Sequence, residues 1–240
     1  MTYRASRARR AFEVQLHQVL IDVTPLHRTA LRAGTSGGAS RLLGAYYVFA
    51  FGQLEAYIKT IVEDILGAIS GSTPAFDKWP DLLLGYFLHK GEDLGNAYRK
   101  FGHNEDEGAI LEFVARSARK VVEWESGGTM PGLQPAAFLD KKKYPSARNL
   151  PQLFKRLGVK RIWANINAAG KMNGEWILTS LNDLRTNIAH EGKVPIGFGL
   201  VDFRNSLGQM RRFVVALDRG VSREFCGPVM SRKTWNIAMS

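Results

Sequence analysis

An all-α fold is what this sequence predicts, and three observations carry the prediction. Residues 41–69 place Phe51, Leu54, Ile58, Ile61 and Ile65 at alternating spacings of three and four, which makes one continuous apolar stripe on a helix. The same period returns in residues 5–33, 106–125, 174–190 and 202–219. No segment sustains the period-two alternation of a half-buried strand. The chain has 240 residues, 45% of them apolar, enough to bury a sizeable core. The expectation is a bundle of five to eight helices.

The elements follow in order. In residues 5–33, Phe12, Leu16, Val19, Leu20 and Val23 recur at helical spacing, and Pro25 is expected to kink or split the helix. Residues 34–40 (GTSGGAS) read as a break, with Ser40 as N-cap of the long helix after it. Residues 70–74 form a second break. Residues 75–104 suggest short helices, residues 106–125 a longer one, and the proline-containing residues 126–148 a loop. Two short helices are expected in 149–168, the first capped by Asn149, with Pro151 in its first turn, and stopped by Gly158. Residues 174–190 are helical through Ile177, Leu181, Leu184 and Ile188, and Gly192 and Pro195 stop that helix. A last helix spans 202–219. Residues 1–40 are thus expected as a basic helical extension, 41–219 as the bundle, and 220–240 as a tail with too weak a pattern to place.

Composition narrows function. The formal net charge is +11, which favours a polyanionic partner such as nucleic acid, although charge alone also fits a merely basic protein. The one cysteine, Cys226, leaves no intrachain disulfide, and the five histidines show no zinc spacing, so neither a metal nor a cofactor is expected. No run reaches the roughly 20 apolar residues of a membrane span. Polar residues interrupt what would be a signal-peptide core behind the N-terminal arginines. A cytoplasmic protein without membrane contact is the expectation. The basic loop Lys141, Lys142, Lys143 and Arg148 can follow a phosphate backbone. A solvated charge run explains those residues equally well.

The segment that stands apart is Asn182-Asp183-Leu184-Arg185-Thr186-Asn187-Ile188-Ala189-His190-Glu191-Gly192. Arg185 and His190 are separated by four residues at the end of an apolar-striped helix. At about 100° per residue they lie roughly 140° apart, and Asn187 shares a face with His190. One reading is structural: Arg185 pairs with a carboxylate and His190 caps the helix end. The other is chemical. RNA carries its own nucleophile, the 2′-hydroxyl; a histidine can take or give the proton, and an arginine can clamp the phosphate.

These residues resemble the signature of HEPN domains, an arginine and a histidine four to six residues apart, often ending in Ala-His-Gly. Phe51-Gly52-Gln53-Leu54-Glu55-Ala56-Tyr57-Ile58 is similar to the first helix of the RiboL-PSP-HEPN branch, which often carries a glutamate there. The resemblance covers roughly residues 41–218. It implies a helical bundle that dimerises about a two-fold axis with a composite cleft. It also implies a metal-independent endoribonuclease, acting as a toxin under an antitoxin's control or as an antiviral-defence effector. On this chain it makes Arg185 the phosphate-binding arginine, His190 the catalytic histidine and Glu55 a supporting residue. The family usually sets its polar residue directly after the arginine. Here Thr186 holds that place and Asn187 follows, so either can be the third catalytic residue, and Glu191 displaces the expected glycine. A non-catalytic RNA- or nucleotide-binding and dimerisation module is the competing expectation.

Overall fold

In a computed structural model, the residues described are 4–72, 78–87, 135–139 and 145–240, with isolated positions between 115 and 126. Eight helices have both ends within them: α1 (Arg7–Arg32), α2 (Ser36–Ser72), α3 (Pro135–Phe138), α4 (Asn149–Arg156), α5 (Ile162–Gly170), α6 (Gly174–Glu191), α7 (Leu200–Phe225) and α8 (Arg232–Ala238). Residues 81–87 are helical too, and no strand occurs among the described residues. The fold is all-α. The helix expected over 106–125 and the loop lysines Lys141, Lys142 and Lys143 lie outside the described residues.

The stripes become the core. From α2, Tyr47, Leu54, Ile58, Ile61 and Ile65 are buried against Leu16, Val19 and Val23 of α1 and Phe213, Val214 and Leu217 of α7. Each such side chain contributes about 1.5–3 kcal/mol on burial. The core crosses both expected domain boundaries. Phe12 of the N-terminal helix and Trp235 of the C-terminal segment belong to the same cluster. The Trp235 ring stacks on Phe225 at a centroid distance of 5.8 Å, so the weakly patterned tail folds back as α8.

Some ends differ from expectation, for local reasons. Helix α1 runs through Pro25 without ending. The break before α2 is only Ala33 to Thr35: Gly34 takes φ +72°, where a side chain would be strained, and the helix has already resumed at Ser36. Gly37, Gly38 and Ser40 therefore lie inside α2. Asn149 is not a cap; its N–H donates to the Ser146 hydroxyl at 3.0 Å, so the capping side chain is Ser146. Gly158 does stop α4, at φ +93°. Helix α7 reaches Phe225 because Val221 and Phe225 continue its buried stripe.

A polar knot fixes where α1 begins. The Ser6 hydroxyl accepts from Arg9 N–H at 3.1 Å and donates to Asp218, whose other carboxylate oxygen takes the Ser6 N–H at 3.3 Å. Arg7 pairs with Asp64 on α2. Burial pushes both Asp64 and Asp218 above the ordinary carboxylate value, against the pull of Arg7 on the one and Ser6 on the other. The Tyr57 phenol, buried between these acids, is likewise pushed up, first by desolvation.

Candidate active site

The motif occupies the last turns of α6. Asn173 caps that helix by accepting from Trp176 N–H at 3.0 Å, and Gly192 ends it at φ +67° with its N–H on the Ile188 carbonyl. Leu178, Leu181 and Ile188 turn inward and set the rotation of everything else. Arg185 and Thr186 are half-buried at the edge of the stripe; Asn187 and His190 are exposed. On the helical wheel Thr186, about 100° from Arg185, lies between it and His190, whereas Asn187 lies on the far side of the histidine. Neither Arg185 nor His190 makes an ion pair with a described residue.

Three contacts hold this turn. The buried Tyr47 hydroxyl donates to the Leu181 carbonyl at 2.9 Å. Burial holds the phenol far above its ordinary pKa, so it remains a donor. Three residues before Tyr47, Gly44 lets α2 approach α6 closely: a Cβ there meets Ile188 Cγ2 at 3.1 Å and Val194 N at 3.7 Å. The loop after His190 then folds back, burying Val194 and setting Phe198 edge-on to Tyr47 at 6.4 Å. Tyr47, Gly44, Val194 and Phe198 carry no chemistry of their own, and no motif marks them; only their pairing across the fold does.

Glu55 is not brought to the motif. It pairs with Lys59 on its own helix at 2.9 Å. It lies eleven residues beyond Gly44, roughly 16 Å along the axis of α2. Arg148 is exposed in the turn before α4, and α4 packs mainly on α5 rather than on α6. Among the described residues no three His, Cys, Asp or Glu side chains gather as a metal site would, and no helix is long and apolar enough to cross a membrane.

No family model, curated protein or solved structure matches the chain. What the fold and the site define is therefore a class by architecture: an all-α bundle that presents an arginine, a threonine and a histidine at the C-terminal end of one well-anchored helix.

Proposed function

We propose that the protein is a metal-independent endoribonuclease of the HEPN type, working as a homodimer in the cytoplasm as a toxin or antiviral-defence effector. The observation that carries this reading is the state of the pair: Arg185 and His190 sit in the last turns of α6, uncommitted to any described carboxylate, with His190 exposed. The structural reading, an arginine paired in the fold, finds no carboxylate for Arg185 among the described residues. Arg185 binds the scissile phosphate and stabilises charge developing on its oxygens. A neutral His190 takes the proton of the 2′-hydroxyl, whose oxygen forms a new bond to phosphorus. The bond from phosphorus to the 5′-oxygen breaks, and a protonated His190 from the second copy supplies that oxygen with its proton. The products are a 2′,3′-cyclic phosphate and a 5′-hydroxyl. One pair provides one acid or base; two pairs across a two-fold axis provide both. Thr186, between the two, is the better placed third residue, and Asn187 flanks the histidine.

Ile196, 104% exposed at the tip of the loop behind His190, is an apolar side chain at which a contact with a second copy can be tested. The second reading, a non-catalytic RNA- or nucleotide-binding and dimerisation module, draws on Glu55, which is bound to Lys59 far from the motif.

The test is incubation of wild type, Arg185→Ala and His190→Ala with a mixed RNA pool in EDTA, followed by mapping of fragment ends. Cleavage by the wild type alone, with cyclic phosphate ends, supports the enzyme. RNA binding without cleavage in all three supports the module.

A further inference from the structure

A groove of about 380 Å³ opens between α1 and α7, and no motif residue lines it. Its floor is apolar: Leu16 and Leu207 are buried there and Leu20 is half-buried. Its rim is cationic. Arg204 and Arg211 stand two turns apart on α7, about 10 Å along the axis, and His17 is exposed across from them on α1. The rim holds one acid, Glu13, which lies between two guanidiniums, 3.2 Å from Arg9 and 3.4 Å from Arg211. Arg204 rests on a neutral group, the Thr24 hydroxyl at 3.3 Å, and has no carboxylate among the described residues. The groove therefore carries net positive charge.

Gly208 adds an independent observation. It lies inside α7, where a glycine weakens a helix relative to alanine. Its backbone is not in the left-handed region, and a Cβ at this position meets nothing within 4 Å. Neither conformation nor packing calls for glycine here. What the missing side chain leaves is groove.

We propose that this groove binds a single strand of RNA, with phosphates on Arg204 and Arg211 and a base laid on the leucine floor. Unpaired strands are gripped by a positive groove that tracks the backbone and by surfaces that take an unstacked base, here the leucine floor beside the guanidiniums; a duplex keeps its bases stacked and offers only its backbone. The choice of RNA among polynucleotides rests on the ribonuclease reading.

The experiment uses fluorescein-labelled oligouridine, with anisotropy read across a salt series. The proteins are the full chain carrying His190→Ala, to prevent cutting, and the same chain with Arg204→Ala/Arg211→Ala or with Gly208→Leu. The double arginine change is expected to weaken binding roughly tenfold or more and to lower the salt slope by about 1.4, the yield of two single-strand phosphate contacts. Gly208→Leu is expected to weaken binding as well, with a melting temperature equal to or above the parent's. A blunt RNA duplex is expected to lose little affinity in the Gly208→Leu protein. Unchanged binding of the single strand by Gly208→Leu overturns the proposal, whatever the arginine variant does. The ribonuclease reading is judged separately, by fragment ends from the wild type: a chain that grips RNA here yet never cuts it refutes that reading and leaves the groove standing.

Discussion

The Tyr47 hydroxyl donates its hydrogen bond to the carbonyl of Leu181, one turn before Arg185 on the motif helix. In a regular helix that carbonyl also receives the Arg185 N–H, so one buried oxygen joins α2 to the turn that carries the arginine. Tyr47→Phe removes the donor and leaves the carbonyl its helical partner. The stability cost is expected at about 1 kcal/mol, read by denaturant unfolding. Loss of RNA cleavage is expected to exceed that, because a displacement of ~1 Å at reacting groups can cost on the order of 100-fold. Equal small losses in both would show that Tyr47 only packs.

The close approach at Gly44 makes a graded prediction. Alanine there asks Ile188 to yield by a few tenths of an ångström and gains about 1 kcal/mol of helix propensity, so Gly44→Ala is expected to be near neutral. Gly44→Val adds two methyls against Ile188 and the Val194 backbone, and overpacking of this kind costs about 1–3 kcal/mol. Thermal melts of the two variants separate the cases. A melting temperature for the valine variant at or above wild type would mean that the helices are not in contact here.

Much of this fold can be read from the chain, and the reasons vary by element. The stripes of α2, α6 and α7 are periodic enough to reveal both type and buried face. The stops at Gly158 and Gly192 are legible because their φ is positive. Gly170 departs from that rule. It is helical, and its lack of a side chain serves packing, since a Cβ there would come within 2.8 Å of Ala216 Cβ; Lys171, without glycine's freedom, takes the left-handed turn. Helix α8 was hidden because its burial depends on one residue, Trp235, stacked on a helix ten positions earlier. The motif itself is local in sequence and so was visible. Its supports, Tyr47 and Gly44, are more than 130 residues away in the chain and have no signature of their own.

Ile196 provides the test of assembly. If the loop tip meets a second copy, Ile196→Asp places a charge in that contact and is expected to convert the dimer to monomer by light scattering, at little cost to the fold of the monomer, since the side chain is fully exposed. A dimer that persists in this variant would move the interface elsewhere.

The Asp218 knot sets a pH dependence whose sign is fixed by the direction of its shift. Burial raises the folded pKa above the ordinary value of 3.8, so between that value and the folded pKa the native state binds more protons than the unfolded chain. This contribution to stability is full below the unfolded pKa and is lost as pH rises through the folded one. Asp218→Asn keeps an oxygen to accept from Ser6 and removes the titration. Its melting temperature relative to wild type is therefore expected to climb as pH rises from about 4 towards neutrality, then level off. Asp64, raised for the same first reason, adds to the wild-type slope and persists in the variant, so the slope should shrink rather than vanish. Ser6→Ala acts in the opposite sense. It deletes the N-cap, worth about 1 kcal/mol, and strips the buried carboxylate of its hydroxyl partner, so the cost should grow as Asp218 ionises. A difference between wild type and Asp218→Asn that stays flat across this range would mean that Asp218 is as well solvated in the folded chain as in the unfolded one.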